Sequence, residues 1–387
     1  MLLETEIQFI QENLHRDPVA IALEASKYPD LDVPKLVGQI KARQKLKDKM
    51  PQWVANTQVF FPPSLALEQS SSEETAHYKA SLVKGKIVDL TGGMGLDSYA
   101  FAQAGCEVDY LERQADLAQI TAYNHQQLNA GRIRHHATDS LTWLEQQKDT
   151  FDFLYVDPAR RDKAGNKVVL LQDCEPNAIE LIPHISEKTS LLIKTSPLLD
   201  IERAIKELEG VEKVYVICIK NEVKELLFLK TNNSSEDPEI SIIELNQENP
   251  LLFIAKKSSE TQSNIKFSDC KNYLYEPHAG ILKGGFFKTV SASVTKIAPN
   301  THLYTSEEAD TKFPGRAFQV IAEGSLEKKW LQEVLPGKKA NISTRNFPIN
   351  ADEIRKKFQL KDGGEFTLFA FRDFSNKNRV VLAKKIS

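Results

Sequence analysis

Residues 86–95 read KIVDLTGGMG. Lys86 to Leu90 have the length and apolarity of a short buried strand, with Ile87, Val88 and Leu90 as its apolar positions. The run breaks at Thr91 into Gly92, Gly93 and Gly95, and an apolar helical pattern resumes at Leu96. A strand that ends in glycines and opens a helix leaves bare backbone N–H groups where a polar or anionic ligand approaches closely. Asp89, near the strand's end, selects among ligands: a carboxylate there repels pyrophosphate and attracts an ammonium group. The stretch therefore favours S-adenosylmethionine (SAM), which carries an amino-acid ammonium, over a dinucleotide. Residues 93–98, GMGLDS, also lack the third glycine of the dinucleotide pattern.

Outward from this stretch, strand and helix patterns alternate. Strands are expected at 86–91, 107–112, 132–137, 152–157, 189–195, 212–220 and 224–230, and helices at 96–104, 114–129, 140–147, 175–187 and 199–209. Such alternation predicts a parallel sheet wrapped by helices on both faces, and the short break at Asn221-Glu222 makes its last two strands an antiparallel hairpin. Before the core, residues 1–83 read as helical, with Pro18 and Pro34 near helix starts and Ser71 or Ser72 placed to cap a helix with Glu73 and Glu74 in its first turn. Ser71 and Glu74 have capping-box spacing. Beyond the linker TNNSSEDPE (231–239), two small α+β domains are expected, so the division reads 1–83, 84–233, 234–311 and 312–387.

A chain of 387 residues exceeds one ordinary domain, and its 41% hydrophobic and 27% charged content is that of a globular protein. There is no apolar run of about 18 residues, which argues against a membrane span. Acids early in MLLETEIQFIQENLHRD argue against a secretory leader. Cys106, Cys174, Cys218 and Cys270 are widely spaced, which favours a reducing cytoplasm and no structural zinc. His135 and His136 fall on opposite faces of a strand, so they form no metal pair. Charge is unevenly spread. Residues 312–387 hold 16 Lys/Arg against 8 Asp/Glu, and the remainder holds 34 against 45. A basic end on an acidic body suits a protein that handles a polyanion, although a solvated charged surface gives the same count. The aromatic residues among those charges, Trp330, Phe347, Phe366, Phe369, Phe371 and Phe374, have the spacing of core rather than of a base-stacking platform.

Four carboxylates are expected at strand C-termini, where open α/β sheets bind ligands. Asp89 ends the first strand. Glu112 ends the second, at about the 20-residue spacing from which a carboxylate meets ribose hydroxyls. Asp139 follows the third, placed either to accept from an adenine amine or to cap the helix SLTWLEQQ. Asp157 ends the fourth, and Pro158 fixes the turn that exposes it.

DLTGGMG followed by Glu112, Asp139 and Asp157-Pro158-Ala159-Arg160 resembles the class I SAM-dependent methyltransferases. The wider layout, with FPPSLALEQSSSEETAHYKA (61–80), DPARRD (157–162), KTSPLLD (194–200), LYEPHAGILKGG (274–285) and NTHLYTS (300–306), is similar to one bacterial family of them. The resemblance covers essentially the whole chain. It implies an α/β fold: a Rossmann-like seven-stranded methyltransferase core, an N-terminal helical region, a ferredoxin-like middle domain and a THUMP-like C-terminal domain. It also implies that Asp89, Thr91, Gly92, Gly93 and Gly95 hold the methionine part of SAM. Glu112 would take the ribose, Asp139 the adenine, and Gln69, Ser71 and Ser72 the amino-acid carboxylate. THUMP domains bind RNA elsewhere, so the resemblance implies an RNA substrate reached through the basic end.

Asp157, Pro158 and Arg160 are the expected catalytic residues. Enzymes that methylate exocyclic base amines commonly carry an aromatic ring in this turn, and here Ala159 and Arg160 stand instead. Arg160 is suited to stacking on a base or holding a phosphate, or, with Arg161, to pairing with Asp162 and Asp173. No cysteine nucleophile lies near LLIKTSPLLD, which excludes carbon-5 methylation of uracil. In-line transfer to an oriented nitrogen or oxygen is left, with Asp157 as hydrogen-bond acceptor or base. Two other readings stay compatible with these residues: a methyltransferase acting on a small molecule or protein, and a non-catalytic RNA-binding protein that retains SAM binding.

Overall fold

Four helices open the chain: α1 (Glu4–Asn13), α2 (Pro18–Leu23), α3 (Val33–Leu46) and α4 (Pro51–Ala55). Their starts are set by local chemistry. Asp17 accepts from Val19 N ahead of Pro18, and Asp32 accepts from Lys35 N with Pro34 in the first turn, where a proline lacks no needed N–H. Phe9, Ile10, Ile21, Leu36 and Ile40 form a core shared by the first three helices. The structure is a computed structural model that describes residues 2–62, 67, 70–147, 150–159, 171–186, 188–233, 235–290 and 292–386. It divides into two compact units, Met1–Val214 with Glu225–Glu236, and Tyr215–Lys224 with Asp237–Ser387.

In the first unit, α5 (Glu73–Ser81) leads into β1 (Lys86–Asp89), α6 (Leu96–Gln103), β2 (Glu107–Leu111), α7 (Ala115–Gln127), β3 (Ile133–His136), α8 (Ser140–Gln146) and β4 (Phe153–Val156). Then come α9 (Ala178–Leu181), β5 (Ser190–Thr195) and α10 (Ile201–Leu208), while β6 (Lys213–Ile219) and β7 (Glu222–Lys230) follow at the division. The strand order runs β3-β2-β1-β4-β5-β7, with β1 to β5 parallel and β7 antiparallel to β5. This is the α/β sheet expected, closed by an antiparallel strand. The single helix expected over 175–187 is instead a one-turn α9 followed by a 3₁₀ turn at Ile182–His184, because Pro183 cannot donate within a continuing helix. The order brings β1 and β4 side by side at the centre of the sheet, Asp89 opposite Tyr155, so the turns that leave both strands share one edge.

In the second unit, β8 (Glu239–Glu244) and β9 (Leu251–Lys256) pair antiparallel and α11 (Lys257–Gln262) follows. Then come β10 (Tyr273–Pro277), α12 (Ala279–Gly284), β11 (Thr295–Ala298), β12 (Thr301–Ser306), β13 (Gly315–Gly324), α13 (Lys328–Val334), β14 (Asn341–Arg345), α14 (Ala351–Phe358), β15 (Phe366–Arg372) and β16 (Asn378–Lys385). These strands form a sheet of order β11-β12-β10-β13-β16-β15-β14, in which β14 and β15 are parallel and the other pairs antiparallel. Period-two alternation buries both faces of β15 and β16. Leu368, Ala370, Val380 and Leu382 face a core with Leu331 and Ile354 from α13 and α14, while Phe369, Phe371, Val381 and Ala383 face a second core. Phe369 and Phe371 are fully buried, and Trp330, Phe347 and Phe366 pack partly buried on the first of these cores, as their spacing predicted. Phe374 is 46% exposed and departs from that pattern. No helix among the described residues is long and apolar enough to cross a membrane.

Candidate active site

Asp89 is the last residue of β1 and is 1% exposed. Its carboxylate accepts from Thr91 N (3.1 Å) and Ser98 Oγ (2.6 Å), so it braces the turn it precedes. Burial, reinforced by the nearby carboxylates of Asp97 and Asp157, pushes it up to about 7. No ion pair to Asp89 occurs among the described residues.

The glycines of the turn are needed for two different reasons. A Cβ on Gly92 would stand 2.1 Å from the ring of Tyr110. Gly95, at φ +77°, caps α6 in the left-handed region, where its Cβ would also meet His125 and Thr121 at 2.5 Å. The turn is held from behind by side chains of β2 and α7. Tyr110 OH (2.6 Å) and Thr121 Oγ1 (3.0 Å) donate to Gly93 O, and His125 Nε2 donates to Gly95 O (2.9 Å). That bond puts the His125 proton on Nε2 and leaves Nδ1 to accept from His135 Nε2 (2.8 Å). Burial and the neighbouring His135 depress His125 to about 3, so it stays neutral and its role is structural. His136 turns instead to Asp109 (2.8 Å).

Glu112, just past β2, accepts from Gly93 N (3.1 Å) and Gln114 N (2.8 Å), which aims its carboxylate at the glycine turn. Asp139 caps α8, accepting from Leu141 N (3.1 Å) and Thr142 N (3.2 Å). Asp157 leaves β4 beside Asp89's turn. Its N–H donates to Thr91 Oγ1 (2.7 Å), so the threonine hydroxyl joins the two turns. Beyond the buried Pro158, Ala159 is fixed by a reciprocal backbone bridge to Glu175, whose side chain pairs with Arg113. The Asp157 side chain, 28% exposed, is ion-paired with Lys194 of β5. Burial pulls the Lys194 ammonium down, but Asp157, Glu225 and Asp97 outweigh it and hold it above the ordinary lysine value. Arg160 and Gln69, expected at the site, lie outside the described residues.

Ser71 and Ser72 are both engaged within the protein. Ser72, not Ser71, is the N-cap of α5, accepting from Thr75 N (3.2 Å); the capping box expected between Ser71 and Glu74 does not form, because the helix starts one residue later. Ser71 Oγ instead donates to Asp97 Oδ2 (2.9 Å) and accepts from Lys79 Nζ (3.0 Å). Lys79 is fully buried and paired with Glu225 (2.8 Å) and Asp97 (3.2 Å). Tyr155 OH also donates to Asp97 Oδ2 (2.7 Å). Burial pulls the Asp97 carboxyl up, and Lys79, Lys194, Tyr155 and Ser71 together bring it below its usual value. Four carboxylates (Asp89, Asp97, Asp157 and Glu225) thus surround two ammonium groups, Lys79 and Lys194. Sequence reasoning missed Lys79, Asp97 and Glu225. One signal was present: Thr75, Ala76, Lys79 and Ala80 form the buried stripe of α5, with a lysine in place of an apolar residue.

Three family models match in succession: a SAM-dependent methyltransferase family, provisional in its own description, at residues 68–169, a ferredoxin-like domain at 273–314 and a THUMP domain-like family at 315–385. The solved structure of a provisionally assigned methyltransferase from Porphyromonas gingivalis W83 is 34% identical, covers 100% of both chains and superposes with a TM-score of 0.88. The chain belongs to this family of SAM-dependent methyltransferases. Its cofactor is S-adenosylmethionine, and the α/β core followed by small α+β domains is the family's fold. Two shorter matches are a SAM-dependent methyltransferase from Agrobacterium tumefaciens (16% identity, 48% of this chain and 57% of that one, TM-score 0.30) and a provisionally assigned methyltransferase from Streptococcus mutans in complex with SAH (15%, 40% and 94%, TM-score 0.31). The comparison with curated proteins gave no match.

Proposed function

We propose that this methyltransferase transfers the methyl group of SAM to a nucleotide in structured RNA, rRNA or tRNA, in the cytoplasm. The observation that carries the reading is a buried carboxylate, Asp89, with no ion-pair partner among the described residues, at the same sheet edge as an ion-paired carboxylate, Asp157. Asp89 fits the cofactor's ammonium, and the backbone from Thr91 to Gly95 fits the rest of its amino-acid part. Glu112 fits the ribose hydroxyls. Asp139, which caps α8, is the carboxylate we assign to the adenine amine. When bound, SAM supplies a methyl group made electrophilic by a sulfonium.

The chain's own part is positioning and proton handling. Asp157 accepts a hydrogen bond from the acceptor N–H or O–H and takes its proton as the new bond to carbon forms. Lys194 keeps that carboxylate aimed, and Pro158 with the Ala159–Glu175 bridge keeps its turn rigid. The THUMP domain-like match over 315–385 and the excess of basic residues there favour RNA over a small molecule or protein. The wide spacing of the four cysteines suits a reducing compartment.

Incubation of the purified protein with methyl-tritiated SAM and total cellular RNA, followed by digestion to nucleosides, tests the proposal. Label in one modified nucleoside is expected. Label confined to protein or small molecules would overturn the RNA assignment, and absence of transfer with intact SAM binding would favour the non-catalytic reading.

Cofactor binding should also depend on pH with a definite sign. Asp89 is part-protonated near pH 7 in the free site, and an ammonium beside it favours the carboxylate. Binding therefore releases protons, and SAM affinity rises by about tenfold between roughly pH 6 and 8. Asp89→Asn should bind weakly with no such rise. Calorimetry in buffers of different ionisation enthalpy reads both; proton uptake on binding, or a flat wild-type profile, would contradict the role given to Asp89.

A further inference from the structure

Within the second unit, the fold sets Lys338 and Lys339 beside Lys361, and Lys356 and Lys357 lie a few residues before Lys361 at the end of α14. Lys361 N donates to Lys338 O (2.7 Å), Ala340 N donates to Lys361 O (3.0 Å), and Lys339 and Lys361 face each other in a short parallel bridge. Gly363 and Gly364, at φ +91° and +92°, turn the chain back so closely that a Cβ on either would touch Lys339 at 3.4 Å. Lys356 and Lys357 sit in the last turn of α14, and the turn that ends it leads straight to Lys361. Gln359, left-handed at φ +54°, bonds back to the carbonyls of Arg355 and Lys356, and Leu360 N reaches Arg355 O (3.0 Å) just before Lys361. Lys338 is half-buried and the other four are exposed.

The carboxylates nearby are already engaged. Arg355 takes both Asp352 and Asp362, Glu353 closes the capping box with Asn350, and Glu365 pairs with Lys384 at 2.7 Å. No ion pair to any of the five lysines occurs among the described residues. The dipole of α14 accounts for Lys356 and Lys357, which sit in its last turn, but not for the three that lie off the helix. Like charges held this close repel one another, and a chain of phosphates relieves that repulsion while releasing its own counterions.

We propose that this lysine cluster is the surface on which the RNA backbone rests. The inference builds on the RNA reading above and adds where the contact lies. Lysine is a point charge without the planar fork that reads a base edge, so the cluster sets affinity and orientation while nucleotide choice stays with the methyltransferase core.

The test uses the full chain, fluorescently labelled bulk tRNA and ribosomal RNA fragments, and a salt titration over about 50–200 mM. Lys338→Glu/Lys339→Glu/Lys361→Glu is compared with a control of equal charge change at exposed sites of the first unit, Lys41→Glu/Lys47→Glu/Lys206→Glu. The cluster variant is expected to flatten the slope of log K against log salt by about 2 to 3 and to bind at least roughly tenfold more weakly, with calorimetric SAM affinity unchanged and the control near wild type. If the glutamates disturb folding, the corresponding Lys→Gln triple should flatten the slope by about 2. Wild-type-like binding by a folded cluster variant would overturn the location and leave the RNA reading standing. Equal loss in the control would do the same. Absence of RNA binding by the wild type, or preferential binding to phosphatidylserine vesicles, would overturn both.

Discussion

Replacing Lys79 with methionine should lower the melting temperature of the methyltransferase unit by about 6–20 °C. The side chain is fully buried in α5, and its ammonium is the cation shared by Asp97 and Glu225, with Ser71 completing its shell. Methionine keeps the unbranched apolar part of the side chain, drops the ammonium, and leaves Asp97 and Glu225 with only Lys194 as a nearby cation. Removing one partner of a buried pair costs about 3–5 kcal/mol, because the remaining charge keeps its desolvation penalty. For a unit of this size each kcal/mol moves the midpoint by about 2–4 °C. Scanning calorimetry measures the shift, and adding Glu225→Gln to the variant should recover part of the loss, since one of the stranded charges is then gone. A variant that melts within a degree or two of wild type would mean that the carboxylates are not relying on Lys79.

The second large effect is on transfer itself. Asp157→Asn keeps the backbone N–H that Thr91 receives and the shape of the Asp-Pro turn, but it removes a proton acceptor and the partner of Lys194. Single-turnover transfer to the RNA found by tritium labelling should fall by about 10²- to 10⁴-fold, the range contributed by a positioned general base. SAM affinity should change little, since the group lost serves the acceptor side. Quench-flow measurement of one turnover beside calorimetry separates the two. Unchanged transfer would remove Asp157 from the chemistry and leave substrate orientation to carry the rate.

These two residues differ in how far the sequence discloses them. Asp157 follows an apolar strand and precedes a proline, and a parallel sheet delivers such a position to the ligand edge whatever surrounds it. Lys79 lies in a polar helix, 146 residues from Glu225, and nothing local distinguishes it from a solvated lysine except its place in a buried stripe. The same contrast holds among the serines. A capping role for Ser71 or Ser72 is legible from the acids that follow, but which of them caps depends on where α5 begins, and that frees Ser71 to bridge Asp97 and Lys79.

The sequence by itself determined the strand that ends in glycines, the carboxylates at four successive strand ends and the basic character of the final segment. Each of these rests on spacing over a few residues, where backbone geometry leaves little choice. Only the tertiary structure decided which cations neutralise the buried acids, that Asp89 pairs with none among the described residues, and that Lys338 and Lys339 lie beside Lys361. Those outcomes depend on contacts between segments far apart in the chain, and in a low-dielectric interior the partner, not the residue type, sets what a charged group can do.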